Sequence, residues 1–198
     1  WTALRIGHKG QVARSVGVTS SIPGEGKTST AIALARSAAM AGRRTLLIDC
    51  DVRRMGTTIA LGLRGRPGLA EVLTGEARVE DVLVIDEPSG AFVLPLNSTA
   101  ETPLDIIHSD ATATLFDRFR QEYDLVVLDI APVIPVAEAR ALAAMADVTL
   151  MILRWRTTQR NVLKTALREL DRAGAHIYGL LLTQVDTRSS AVLGEEMA

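Results

Sequence analysis

Short apolar runs rich in Val, Leu and Ile alternate along the chain with longer stretches in which apolar residues recur at the helical period. Such runs are typical of strands buried on both faces, and their alternation with helices indicates a parallel sheet. The predicted strands cover residues 15–19, 45–49, 92–96, 125–129, 148–154 and 177–184, and the predicted helices residues 28–41, 104–122, 136–146 and 158–173. The pattern therefore predicts an α/β fold, a mostly parallel sheet with helices on both faces.

The stretch from residue 55 to residue 98 is the least regular part of the chain, because it mixes glycine, proline and short apolar runs. Within it we predict a short helix at residues 68–74 and a weaker strand at residues 82–85. No repeat or Pro-rich linker divides the sequence, and 198 residues suit one domain with a sizeable core. We expect a single domain over residues 1–198, with an N-terminal arm at 1–14 and a truncated C-terminal tail at 187–198.

The composition is that of a folded globular protein, with 47% hydrophobic and 23% charged residues and a net charge of -1. No run of like charge indicates a nucleic-acid or membrane-surface partner. No apolar run approaches the roughly 20 residues that span a bilayer, and the lone cysteine, Cys50, fits a reducing compartment. We expect a soluble, cytoplasmic piece of a longer protein, since the chain starts at Trp1 rather than Met.

A phosphate-binding loop is predicted at residues 20–28, Ser-Ser-Ile-Pro-Gly-Glu-Gly-Lys-Thr, between the first strand and the first helix. Gly24 and Gly26 let the backbone N–H groups face inward, beside the positive end of the helix. Lys27 would reach the β- and γ-phosphates, and the Thr28 hydroxyl would bind Mg²⁺. The alternative is a glycine-rich turn without a ligand. The expected nucleotide contacts are Pro23, Gly24, Glu25, Gly26, Lys27, Thr28 and Ser29.

Two other predicted strands end in carboxylates, and parallel strands place such ends at one edge of the sheet. Asp49 and Asp51 follow one apolar strand, and Asp129 closes another about a hundred residues after the Gly-Lys-Thr sequence. Buried carboxylates need a compensating positive charge, which a Mg²⁺–phosphate cluster would supply. The alternative is a strand that ends in a solvated turn. Arg53, the first of two arginines after Asp51, is a candidate phosphate or subunit contact.

Together these segments resemble the bacterial tyrosine kinases (BY-kinases), the cytoplasmic kinase domains of capsule and exopolysaccharide assembly systems. Residues 20–28 are similar to the family's Walker A loop, residues 46–54 to its Walker A′ strand and residues 123–133 to its Walker B strand. Residues 68–75, 139–154 and 174–186 also follow the family, so the likeness covers nearly the whole chain. Its three-layer P-loop NTPase fold is therefore expected here.

The resemblance implies ATP-dependent phosphorylation of tyrosine, with ATP and Mg²⁺ as cofactors. It makes Asp49 the candidate catalytic base, assisted by Asp51 and Lys27, and it assigns Mg²⁺ to Thr28, Asp51 and Asp129. It also implies a role in polysaccharide polymerisation and export at the inner face of the cell membrane, with a transmembrane segment or activator outside this chain. A homo-oligomeric ring is possible within the family. The alternative is a nucleotide-switched interaction module without kinase activity.

Several positions depart from the family pattern. Residues 187–198 lack the family's C-terminal tyrosine cluster, and the chain's two tyrosines, Tyr123 and Tyr178, lie at predicted strand starts where a core or edge role is expected. Thr183 stands where the family has an asparagine that contacts adenine. Residues 1–5 resemble a segment that joins subunits into a ring. Ile22 replaces the second lysine of related partition and septum-site ATPases, which argues against that group.

Overall fold

A computed structural model of the chain describes residues 12–97 and 110–186. Strands and helices alternate along these two segments, as the apolar pattern predicts. In chain order the elements are β1 (Ser15–Ser20), α1 (Lys27–Met40), β2 (Thr45–Asp49), α2 (Gly56–Ala60), α3 (Leu69–Thr74), α4 (Val79–Val82), β3 (Val84–Asp86), β4 (Ala91–Leu94), α5 (Asp110–Glu122), β5 (Leu125–Asp129), α6 (Glu138–Met145), β6 (Val148–Arg154), α7 (Arg160–Arg172) and β7 (Ile177–Thr183).

The strands form one sheet in the order β3-β4-β2-β5-β1-β6-β7. Every neighbouring pair is parallel except β3 and β4, which run antiparallel at one edge. The central strands β2, β5 and β1 are adjacent, so their carboxyl ends lie side by side. In this register Asp49 at the end of β2 is paired with Asp129 at the end of β5. The topology therefore brings the acidic strand ends next to the loop that follows β1.

Helices cover both faces of the sheet and produce two separate cores. Along β2, Leu46 and Ile48 point into one core and Leu47 into the other, which is the alternation expected of a strand buried on both sides. Helix α1 meets the Leu47 face through small side chains that allow close approach, namely Ala31, Ala35 and Ala38. Helices α5, α6 and α7 pack on the other face, so the predicted three-layer P-loop NTPase architecture is confirmed.

The bounds of several elements differ from the prediction. Strand β4 ends at Leu94 instead of residue 96, because the Pro95 carbonyl accepts a hydrogen bond from Leu69 at the start of α3. Helix α7 begins at Arg160 instead of residue 158, because the Thr158 hydroxyl accepts the N–H of Arg154 and closes a turn there. Helix α6 is shorter than predicted by two residues at its start, and β7 ends one residue early.

The irregular stretch contains more structure than the prediction allowed. Helices α2 and α4 were not predicted. They have five and four residues, which is too short for a helical period to be recognised in the sequence. The weak strand predicted at residues 82–85 lies at Val84–Asp86 instead, after α4. Three predicted parts lie outside the described segments: residues 104–109 of the helix predicted at 104–122, residues 1–11 of the arm and residues 187–198 of the tail. Among the described helices, none is long and apolar enough to cross a bilayer.

Candidate nucleotide-binding site

The glycine-rich loop joins β1 to α1 at the carboxyl edge of the sheet. Gly24 and Gly26 have φ values of 84° and 91°, in the left-handed region that side chains other than glycine rarely adopt. No side chain caps the start of α1, so its first N–H groups remain directed toward the loop. A curled loop followed by an uncapped helix start is an anion-binding concavity.

A cavity of about 480 Å³ opens beside this loop. Five of the seven predicted nucleotide contacts line it, whereas Pro23 lies at the exposed apex of the loop and the Glu25 side chain is buried in the protein. Arg54 lines the cavity, and Arg53, the arginine that the sequence favoured, is an exposed residue outside that lining. The lining residues are Gly24, Gly26, Lys27, Thr28, Ser29, Arg54, Gly56, Ile59, Ala60 and Gln184.

The Lys27 amine lies between two carboxylates at the inner end of the cavity. Its Nζ atom is 2.9 Å from Asp51 Oδ2 and 3.3 Å from Asp129 Oδ1. Asp49 completes an acidic cluster that we call the acidic wall, composed of Asp49, Asp51 and Asp129, with side chains that are at most 1% exposed. The alternative interpretation, a strand that ends in a solvated turn, is therefore wrong for Asp49 and Asp51.

Strand register explains why the acidic wall forms. Asp49 and Asp129 are the last residues of neighbouring parallel strands and lie opposite each other. The Cys50 N–H donates to the Asp129 carbonyl at 2.9 Å, which continues the pairing one residue further and fixes the start of the following turn. The Asp49 side chain then accepts the Asp51 N–H at 3.1 Å, so the turn places Asp51 toward Lys27.

Burial dominates the electrostatics of these groups. It raises the pKa of Asp49 to about 7, with the nearby charge of Asp129 adding to the effect and hydrogen bonds from Thr58 opposing it. Burial likewise raises the pKa of Asp129 against the opposing influence of Lys27. Burial alone would lower the pKa of Lys27, but Asp129 and Asp51 together raise it above its ordinary value. One ammonium therefore lies among three buried carboxylates and contacts two of them, Asp51 and Asp129.

The oxygen atoms around Lys27 suit a magnesium ion. Asp51 Oδ2 is buried and lies 2.9 Å from the Lys27 amine, and the Thr28 hydroxyl lies 3.4 Å from that amine. Among the described residues, no three His, Cys, Asp or Glu side chains are grouped to hold a metal by themselves. Mg²⁺ is normally bound by one or two carboxylates and completed by water and phosphate, so Thr28, Asp51 and Asp129 fit this ion.

Helix α2 lies against the acidic wall, and sequence reasoning missed its contribution. The Thr57 hydroxyl donates to Asp129 Oδ2 at 2.9 Å, while the N–H and hydroxyl of Thr58 each donate to Asp49 Oδ2 at 2.8 Å. Gly56 approaches so closely that a Cβ there would lie 2.5 Å from the Thr28 hydroxyl. No sequence motif predicts a role for these residues. They lie in a short helix that packs over the strand ends and not at the end of a strand.

The other side of the loop is held by a different set of residues, which we call the loop brace: Glu25, Thr158, Thr183 and Gln184. The Thr183 hydroxyl donates to the Glu25 carbonyl at 2.6 Å, and Gln184 Nε2 donates to the Gly24 carbonyl at 3.2 Å. The Thr158 hydroxyl bonds the Glu25 carboxylate. Thr183 stands where the family resemblance places a residue that contacts adenine. In this structure the Thr183 hydroxyl contacts the glycine-rich loop instead.

Both tyrosine side chains pack against core residues. Tyr123 is 3% exposed and makes edge-to-face contacts with Phe92 and Phe119, while the Arg44 guanidinium lies 4.9 Å from its ring centre. Tyr178 is half-buried and packs on the core beneath α1. The predicted core role is confirmed for Tyr123.

A parallel sheet, a glycine-rich loop that ends in Lys-Thr before a helix, and carboxylates at two neighbouring strand ends define the class of P-loop nucleoside triphosphatases. In agreement, the chain matches the AAA domain family over residues 13–173 and belongs to it. More particularly it belongs to the bacterial tyrosine kinase (BY-kinase) family. The crystal structure of the VpsO kinase domain is 31% identical to it, with a TM-score of 0.85, over 93% of this chain and 91% of that one.

Two curated relatives match most of the chain. The succinoglycan biosynthesis transport protein ExoP of Rhizobium meliloti is 31% identical over 180 residues, which are 89% of this chain and 23% of ExoP. The tyrosine-protein kinase CpsD of Streptococcus pneumoniae is 28% identical over 178 residues, which are 89% of this chain and 78% of CpsD. The chain thus spans about a quarter of one relative and most of the other.

Proposed function

We propose that this chain is a Mg·ATP-dependent protein tyrosine kinase domain that regulates exopolysaccharide or capsule polymerisation and export. The observation that carries the proposal is the position of the Lys27 amine, 2.9 Å from Asp51 and 3.3 Å from Asp129, beside a cavity of about 480 Å³ that Lys27 and the glycine-rich loop line. An ammonium group, an anion-binding loop and acidic side chains are the parts that phosphoryl transfer requires. The name of CpsD, a tyrosine-protein kinase, supports the same reaction.

In the proposed reaction the phenolic oxygen of a tyrosine bonds to the γ-phosphorus of ATP, and the bond from that phosphorus to the β–γ bridging oxygen breaks. The phenolic proton passes to a carboxylate, and ADP leaves with the electron pair of the broken bond. Loop N–H groups and Lys27 would hold the phosphate oxygens. Mg²⁺, held by Thr28, Asp51 and Asp129, would neutralise charge on the β- and γ-phosphates.

Asp49 is the proposed base. A pKa of about 7 suits a group that must accept a proton near neutral pH. Its carboxylate has no exposed surface, however, and Thr58 covers Oδ2 with two hydrogen bonds. Direct proton transfer from a tyrosine to Asp49 therefore requires helix α2 to move away from the acidic wall.

The proposed setting is the inner face of the cell membrane, reached through a segment or activator outside this chain. ExoP, of which the matched part is 23%, is named as a biosynthesis transport protein, and its remaining length leaves room for such a segment. The proposed partners are ATP, ADP, that membrane component and further copies of this chain in a ring. Nucleic acid is not among them, since the net charge is -1.

The test is a phosphorylation assay of the chain with a tyrosine-containing peptide as the acceptor. The protein is incubated with Mg²⁺ and labelled ATP, and phosphotyrosine is detected with a specific antibody and by mass spectrometry. We expect phosphotyrosine that disappears when Mg²⁺ is chelated and in the Lys27→Met variant. Nucleotide turnover without phosphotyrosine would eliminate the kinase proposal.

One observation favours a second function, an ATP-switched interaction module of a polysaccharide-assembly complex. The chain's two tyrosines are the buried Tyr123 and the half-buried Tyr178, so it offers no freely exposed tyrosine of its own as an acceptor. Under this second proposal ATP binding changes association with partners, and association measured with ATP and with ADP would differ in the absence of phosphotyrosine.

A further inference from the structure

Glu25 places a carboxylate inside the backbone loop that would hold a triphosphate. Its side chain is 1% exposed, and like charges in a poorly solvated region repel each other. A carboxylate at this position opposes phosphate binding on electrostatic grounds. Because the Glu25 carboxylate would repel phosphate, we expect it to have a structural role that compensates for this repulsion. Its contacts identify that role.

Both carboxylate oxygens of Glu25 accept hydrogen bonds. Oε2 accepts the Ile22 N–H at 2.9 Å, and Oε1 accepts the Thr158 hydroxyl from the turn between β6 and α7. Thr158 is the donor in the second bond, because an ionised carboxylate can only accept, while the Thr158 oxygen itself accepts the Arg154 N–H at 2.9 Å. Two acceptors are required here, and a carboxylate supplies both.

The neighbouring contacts of the loop brace set the direction of the loop's N–H groups. In a planar trans peptide the C=O and the following N–H point in opposite directions. Thr183 and Gln184 hold the carbonyls of Glu25 and Gly24 on the outer side, so the N–H groups of Gly26 and Glu25 must point to the inner side. The brace therefore orients the donors that would meet phosphate.

We propose that Glu25 is a positioning residue that shapes the phosphate cradle by tying the loop to Thr158 at the β6–α7 turn. It does not contact nucleotide through its side chain. The inference rests on the proposed nucleotide site and deepens it, because it assigns the shape of that site to residues on the other side of the loop from the acidic wall. Thr158 is the second member of the pair, and Thr183 and Gln184 complete the brace.

The experiment is a double-mutant cycle on ADP affinity, measured by isothermal titration calorimetry with the full chain. The variants are Glu25→Ala, Thr158→Val and their combination, with Glu76→Ala, an exposed glutamate outside the site, as the matched control. We expect Glu25→Ala to weaken ADP binding about tenfold, since the loss of two buried hydrogen bonds outweighs the removal of one repulsive charge. The combined variant should be no more than about twofold weaker than Glu25→Ala, because both single changes break the same contact.

Two conservative variants separate positioning from folding. Thr158→Ser keeps the hydroxyl and should bind ADP as the wild type does. Glu25→Gln has one acceptor oxygen instead of two, so its affinity should lie between those of the wild type and Glu25→Ala. The melting temperature of each nucleotide-free variant is measured alongside.

Each outcome decides the matter. Losses that multiply in the combined variant, or a melting temperature that falls while ADP affinity stays unchanged, would overturn the positioning role and leave the proposed function intact. A wild-type chain that binds no ADP would overturn both. Coupled losses that Thr158→Ser restores would support both.

Discussion

The acidic wall and the loop brace hold opposite sides of the same phosphate loop by different physical means. The wall uses buried charges, with Lys27 between Asp51 and Asp129, and it projects from the ends of β2 and β5. The brace uses hydroxyl and amide donors at the ends of β6 and β7, directed at backbone carbonyls and one carboxylate. Charge is concentrated on the side where phosphoryl transfer would change the charge, whereas the other side needs only to fix a shape.

The largest expected effect belongs to the acidic wall. Asp49→Asn removes the proposed base and should reduce the rate of tyrosine phosphorylation about a hundredfold or more. ATP affinity should change by less than about threefold, because Asp49 does not line the cavity. Single-turnover kinetics and equilibrium ATP binding measure the two quantities. A parallel loss of affinity would place Asp49 in nucleotide binding instead.

Lys27→Met should affect both binding and stability. Loss of a charged hydrogen-bond donor to phosphate costs about 1.5–3 kcal/mol, which predicts ADP binding weaker by about thirtyfold. The variant also leaves Asp51 and Asp129 without their ammonium, a change that typically destabilises a protein by about 3 kcal/mol. Calorimetry and urea unfolding test the two effects, and adding Asp51→Asn to Lys27→Met should restore part of the lost stability.

Asp49 should also make stability depend on pH in the protein without metal or nucleotide. Its pKa rises from 3.8 to about 7 on folding, so the folded chain retains a proton that the unfolded chain releases. The resulting stabilisation is complete below about pH 4 and is lost as the pH rises to 7. Relative to Asp49→Asn, the free energy of unfolding of the wild type should therefore fall between pH 4 and 7, by on the order of 3 kcal/mol. An equal pH dependence in both proteins would contradict the burial argument.

The smallest expected effect distinguishes two adjacent arginines. Arg54 lines the cavity and Arg53 does not, although both are exposed. Arg54→Ala should weaken ADP binding about threefold, as expected for a solvent-screened charge near phosphate. Arg53→Ala is the matched control, with affinity equal to that of the wild type. The reverse result would mean that the turn after Asp51 changes its path when nucleotide binds.

The parts of the site that could be predicted from the sequence lie at the end of a buried strand or in the loop that follows one. Asp129 ends an apolar strand, and Lys27 begins the helix after the glycine-rich loop that follows β1, so both are expected at the carboxyl edge of the sheet. Thr57 and Thr58 could not be found in this way. They reach Asp129 and Asp49 because α2, a helix of five residues, folds back over the strand ends.

Local sequence was enough to predict the alternation of strands and helices, the position of the phosphate loop and the two acidic strand ends, because burial and backbone geometry impose local periods and glycine positions. The residues that form hydrogen bonds to the loop became visible only in the folded structure. Thr158 and Thr183 meet Glu25 from 133 and 158 residues away along the chain. Contacts over such separations depend on strand order and register, which no local pattern encodes.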